Sequence, residues 1–232
     1  LAEQQGDVFI FVDSGSGQVD HLTECMSKFR VYIFDHHPPL EVGAPSFVHV
    51  NPHFYGIDGT NDASASSVAY FVARAMNPCN IDLSALAIVG AIGDQQDKGE
   101  QRSLTGLNCE VVRDGEKASV IESTKDIRLF GRETRPIHLT LEYTTEPYIP
   151  GLTGNGDACA KLVLNLGISL KVGNDWRTLS SLTQEEKTKL VSELVRRMIS
   201  RGMDSKDAES IIGAVYTLTK DQSGTPLRDA RE

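Results

Sequence analysis

"VYIFDHHPP" (Val31–Pro39) runs four apolar residues straight into Asp35, His36 and His37 and then stops on two prolines. β-Branched and aromatic residues without a polar interruption, closed by a turn signal, predict a buried strand. Pro38 and Pro39 cannot continue a ladder, and Pro38 biases His37 towards an extended backbone. Three titratable side chains therefore sit on the lip of a strand. Taken alone, the stretch reads equally well as an exposed turn with two solvated histidines.

A second stretch tips that balance. "DVFIFVDSGSG" (Asp7–Gly17) repeats the design, with Asp13 at the strand end and a glycine-rich turn behind it. Gln18 to Arg30 is long enough for one crossover helix, so the three pieces predict a βαβ unit with parallel strands. Parallel neighbours lie about 4.8 Å apart and deliver their C-terminal ends to one edge of the sheet. As neighbours, Asp13 and the Asp35-His36-His37 group face a single crevice, where open α/β sheets place their chemistry.

Further along, "PSFVHVNP" (Pro45–Pro52) predicts a third strand, and "SASSVAYFVARAM" (Ser64–Met76) a helix capped by Asp62 or Ser64. "DLSALAIVGAIGD" (Asp82–Asp94) predicts a mostly apolar, buried helix whose Gly90 and Gly93 allow close packing and whose C-terminus carries Asp94. "LTGLNCEVVRDG", "RPIHLTLEYT", "DACAKLVLNLGI" and "SKDAESIIGAVYTLT" also read as helices. In "LTQEEKTKLVSELVRRMISRG", Thr183 and Glu186 form a capping box, and Leu190, Val191, Leu194, Val195 and Met198 mark one face. The expected organisation is an α/β core over 1–125, a largely helical lobe over 126–220, and the opening of a linker helix at 221–232.

Charged residues make up 24% of the 232 and hydrophobic ones 40%, which is ordinary for a globular protein. A formal charge of −9 argues against indiscriminate binding to polyanions. Carboxylates gathered around bound cations remain compatible with a nucleic-acid enzyme. Cys25, Cys79, Cys109 and Cys159 form no C-x-x-C pair and read as free thiols of a reducing, cytoplasmic setting. No apolar run approaches a membrane span and no signal peptide opens the chain.

The chemical candidates are Asp13, Asp35, His36, His37 and Asp94, with Asp97 nearby. A mixed set of carboxylate oxygens and imidazole nitrogens suits Mn²⁺ or Mg²⁺ better than structural zinc. Asp94 opposes the helix macrodipole, at a cost of a few tenths to about 1 kcal/mol, and a cation would remove that penalty. Adjacent side chains in extended backbone point in opposite directions, so one of His36 and His37 is expected to ligate and the other to face substrate. Rival readings have less support. "DSGSGQ" lacks the third glycine of a dinucleotide fingerprint, and no G-x-S-x-G elbow occurs. His21, His49, His53 and His138 read as structural or solvated.

"FVDSGSG", "FDHHPP" and "GAIGDQQD" resemble three of the four signature motifs of the DHH phosphoesterase superfamily. "NPHFYGIDG", "SASSVAYFVARA", "RLFGRETRPIH", "EYTTEPYIPG" and "PLRDARE" resemble its archaeal RecJ-like branch, which includes the GINS-associated nuclease. The resemblance implies that Asp13 bridges two Mn²⁺ or Mg²⁺ ions. His36 and Asp94 would hold one of them, His37 would contact the scissile phosphate, and Asp35 would steady the site from behind. It implies two-metal hydrolysis of phosphodiesters in single-stranded DNA or RNA, and a GINS-type replication partner docked on the helical lobe. The alternatives are a non-catalytic replication scaffold on the same fold and a phosphatase or phosphodiesterase for short oligonucleotides or other small phosphoesters. The family's first motif, an Asp-x-Asp element, and its glycine-rich nucleic-acid-gripping domain are not among these residues. The chain is therefore expected to be an internal section of a longer protein, and impaired as a nuclease by itself.

Overall fold

The computed structural model describes residues 7–26, 29–40, 47–219 and 229–231, without the side chains of 23–26. Strand β1 (Val8–Val12), helix α1 (Val19–Met26) and strand β2 (Arg30–Phe34) form the expected βαβ unit, and β3 (Val48–Val50) completes a parallel sheet ordered β1-β2-β3. Val12 pairs with Phe34, and Phe34 with Val50. Asp13 and Asp35 thus leave adjacent strands at the same edge.

The two-residue period of β2 sends Val31 and Ile33 to one face, where Val19 and Leu22 of α1 cover them together with Phe11 and Phe47. The other face of β1 is open: Val8, Ile10 and Val12 are 45%, 60% and 48% exposed. β1 is therefore apolar throughout but half-buried on one side and exposed on the other. Helices α2 (Ala65–Met76), α3 (Ser84–Gly93) and α4 (Gly106–Lys117) follow. Ser64, one of the two candidates, caps α2 by accepting from Ser67 N at 3.2 Å. Gly90 permits the approach of α2 to α3, because a Cβ there would overlap Ser66 Oγ, whereas a Cβ on Gly93 would meet nothing.

Two compact units divide at Glu122/Ser123, inside strand β4 (Ile121–Ile127). The second contains α5 (Ile137–Tyr143), α6 (Gly156–Asn165), the short antiparallel pair β5 (Lys171–Val172) and β6 (Asp175–Trp176), and α7 (Gln184–Ser200). Its core gathers Ile137, Leu141, Ile149, Cys159, Leu190, Leu194 and Met198. Burial pushes the Cys159 thiol up to about 11. The capping box of α7 forms as expected, with Glu186 N donating to Thr183 Oγ1 and Thr183 N to Glu186 Oε2. One expected helix is not one: of "SKDAESIIGAVYTLT", only Ser205–Glu209 is helical (α8), and Ile212–Leu218 is strand β7, paired with β4. Its Ile, Val, Tyr and Thr residues favour a pleated, half-buried surface, and that preference wins beyond the short capped turn.

The stretch 221–228, where a linker helix was expected to open, lies outside the described residues, as does Glu232. Asp229 bridges to Thr217 in antiparallel fashion. Among the described residues, no helix is long and apolar enough to cross a membrane.

Candidate metal centre

The turn after β1 explains its glycines. Asp13 continues the ladder through its N–H to Phe34 O at 3.1 Å, but with a left-handed φ of 61°. Gly15 follows at φ 107°, packed against Ile33. That reversal carries Ser16 across the end of β2, where its N–H donates to Asp35 Oδ2 at 2.9 Å. The turn therefore grips a carboxylate of its own chain.

Asp35 is buried, and its second oxygen accepts from His36 N at 2.8 Å, His37 N at 3.2 Å and His37 Nδ1 at 2.8 Å. Burial alone would raise its pKa. The hydrogen bonds from His37 and Ser16 outweigh burial and hold it at about 2. The partner effect on His37 is upward, from the bond to Asp35 and from the charges of Asp35, Asp13 and Asp94. Ser16 Oγ accepts from Asn51 Nδ2 at 2.9 Å and lies 2.8 Å from His49 Nε2. Burial pushes His49 down, as befits a neutral ring inside this network.

His36 is nearly buried, and its Nδ1 lies 2.7 Å from Gly59 O. The carbonyl can only accept, so Nδ1 is the donor in this contact. Nε2 lies 3.2 Å from Asp13 Oδ1. Gly59 is required here, since a Cβ would overlap the His36 carbonyl oxygen. His37 is 56% exposed, and its ring centroid is 4.4 Å from that of His36. The opposed directions expected of the two histidines are not observed. The Asp35 carboxylate gathers both backbone amides and the His37 ring, and so bends the chain out of an extended course.

One donor atom each from Asp13, Asp35, His36 and His37 fall within 4.8 Å of one another. Asp94, the C-cap of α3, approaches from the other side of His36, with Oδ2 3.6 Å from Nδ1. Asp13 and Asp94 both line a cleft of about 380 Å³, together with Val12, Ser64 to Ser66, Gly90 and Gly93. Asp97 is buried. The residues that sequence reasoning missed are Ser16, Asn51, Gly59, Gln96 and Asn108, which support the candidate ligands without being ligand types themselves.

Residues 129–212 match the DHH-CID domain. An uncharacterised protein from Methanocaldococcus jannaschii is 34% identical over 191 residues, covering 81% of this chain and 40% of that protein. The chain thus spans about two fifths of that relative's length. The crystal structure of CDC45 from Entamoeba histolytica shares the fold, with a TM-score of 0.64 at 16% identity, over 100% of this chain and 49% of that one. Exonuclease RecJ bound to manganese has a TM-score of 0.35 at 19% identity, over 84% of this chain and 47% of that one. These comparisons show a DHH-CID domain over residues 129–212 and, over the whole chain, the fold of CDC45.

Proposed function

We propose that this chain is the core of a metal-dependent phosphodiesterase, a RecJ-like exonuclease acting on single-stranded DNA or RNA. The observation that carries the reading is the convergence of donor atoms from Asp13, Asp35, His36 and His37 within 4.8 Å of one another, with His36 Nε2 3.2 Å from the Asp13 carboxylate. Carboxylate oxygens and an imidazole nitrogen brought this close together form the donor set of a divalent cation site. Asp13, His36 and Asp94 would hold Mn²⁺ or Mg²⁺. Bound ions would supply a nucleophilic hydroxide and stabilise the leaving oxygen. His37, exposed and held towards its protonated form by Asp35, would donate to a phosphate oxygen. Asp35, already engaged by three residues, would orient that ring.

The test is thermal. A cation that binds only the folded chain stabilises it by about 2.7 kcal/mol at a hundredfold excess over Kd. Mn²⁺ should raise the melting temperature, and Asp13→Asn should abolish the rise. Asparagine tolerates the left-handed backbone, so the substitution removes charge without adding strain. In the longer parent protein the same change should remove metal-dependent cleavage. Cleavage that survives Asp13→Asn defeats the reading.

A second reading is a replication scaffold on the same fold, favoured by the CDC45 likeness in fold. Mn²⁺ without effect on either melting or cleavage would select it. In both readings the lobe at 126–220 is the docking surface, for a GINS-type complex. Deleting it from the parent should weaken partner pull-down and spare cleavage.

A further inference from the structure

Two fully buried amides, Gln96 and Asn108, have no place in the chemistry above. Gln96 Nε2 donates to Asp94 Oδ2 at 2.7 Å and to Gly59 O at 2.9 Å. Those are the candidate ligand on α3 and the carbonyl that accepts from His36 Nδ1. Gln96 Oε1 accepts from Asn108 Nδ2 at 2.7 Å. Asn108 Oδ1 in turn accepts from Ser64 N at 3.2 Å and Ser67 Oγ at 2.6 Å.

The direction of this chain is forced. A backbone N–H can only donate, so Asn108 must present its oxygen to Ser64 and its NH₂ to Gln96. Gln96 must then present oxygen to Asn108 and its NH₂ to two acceptors that could not face a carbonyl. Rotating either amide would set oxygen against oxygen inside the protein, and each unsatisfied buried group costs about 1–3 kcal/mol.

We propose that Asn108 and Gln96 are positioning residues for the cation site: Asn108 orients Gln96, and Gln96 holds the Asp94 carboxylate and the Gly59 carbonyl that aims His36. The inference rests on the metal reading above. It extends the site to a residue on α4 that touches none of the candidate ligands. Outer partners of this kind typically change metal affinity by about 10–100-fold when removed.

The experiment measures Mn²⁺ affinity of the 232-residue chain from the electron paramagnetic resonance signal of free Mn²⁺, with metal-free melting temperatures in parallel. Gln96→Met removes the donors without adding charge. Asn108→Asp is isosteric, and its carboxylate would accept from Gln96 and so turn the Gln96 carbonyl towards Asp94 and Gly59. Val111→Ala, a buried apolar truncation on the same helix as Asn108, controls for lost stability. The expected result is a 10–100-fold weaker Kd for Gln96→Met and Asn108→Asp, and less than a twofold change for Val111→Ala. Should Gln96→Met not fold, Asn108→Asp decides alone. An unchanged Kd in a folded variant overturns the inference, and so does a loss of equal size in Val111→Ala, which would make the effect one of stability. Absence of Mn²⁺ binding by the unsubstituted chain is a separate outcome, and it would overturn the metal reading together with this one.

Discussion

Helices α3 and α4 in the first unit and α6 and α7 in the second end on the same hydrogen-bonded turn, but not with the same residues. Each closes with two reversed bonds, as in Gln96 N to Ala91 O and Gln95 N to Ile92 O after α3, or Met203 N to Met198 O and Gly202 N to Ile199 O after α7. That turn needs one residue in the left-handed region. The second unit supplies Gly167 and Gly202, whereas the first uses Gln95 and Ser119. Among the described residues, the non-glycine left-handed positions are Asp13, Gln95, Gln101, Arg102 and Ser119, all in the first unit. Strained backbone persists only where surrounding contacts over-determine it, and it gathers at functional sites. The buried polar residues divide likewise. Those of the first unit, among them Ser16, Asp35, Asn51, Gln96 and Asn108, converge on candidate ligands. In the second, Arg132 ties Asp126 to Asp229 around an apolar core. One unit is built to hold groups in place and the other to pack.

The sharpest break of that contrast uses one substitution in each unit. Gly59→Ala sets a methyl group against the His36 carbonyl, and overpacking against backbone should cost about 3 kcal/mol or more. It should also remove the Mn²⁺-dependent rise in melting temperature. Leu194→Ala opens a cavity in the second core and should cost about 2–5 kcal/mol while leaving Mn²⁺ affinity unchanged. Denaturant melts with and without Mn²⁺ measure both. Equal loss of metal response in the two variants would erase the distinction.

How much of this could be read beforehand follows from the range of each interaction. The apolar runs ending at Asp13 and Asp35, and the box of Thr183 and Glu186, are local patterns, and the structure has them where the sequence analysis set them. β7 was missed because Asp204 and Ser205 open a genuine helical turn, and the β-branched run beyond it was carried along with that turn. The supports of the site could not be found locally. Gly59 meets His36 across 23 positions, Gln96 meets Gly59 across 37, and Ser64 meets Asn108 across 44. In "GDQQD", Asp94 and Asp97 are ligand types in their own right, while Gln96 between them is an amide whose role depends on what the fold brings to it.

A smaller effect is an acid-sensitive ion pair in the second unit. Arg177 reaches Glu186 through two bonds, at 2.7 and 2.6 Å, and holds its pKa at about 2. A carboxylate depressed in the folded state contributes stability that is complete above its unfolded value and is lost as pH falls through the folded one. The contribution should therefore persist at neutral pH and fade from about pH 4.5 towards pH 2. Glu186 is partly solvated, so Glu186→Gln should cost about 1–2 kcal/mol at pH 7 and progressively less on acidification. Urea melts across that range are the measurement. A difference that stays constant with pH would assign the loss to packing alone.

The smallest effect tests whether strain in the first unit serves the site. Gln95 and Ser119 have φ of 55° and 54°, and glycine adopts such values without steric cost. Gln95→Gly and Ser119→Gly should each change stability by less than about 1 kcal/mol, relief of strain in the fold being offset by greater freedom in the unfolded chain. Their consequences for metal should differ. The turn at Gln95 joins Asp94 to Gln96, so loosening it should weaken Mn²⁺ binding several-fold. Ser119 closes α4 away from the candidate ligands, and Ser119→Gly should leave the affinity as it was. If both variants bind Mn²⁺ like the unsubstituted chain, the left-handed glutamine is only a helix stop. The contrast between the units would then reduce to a choice of turn residues.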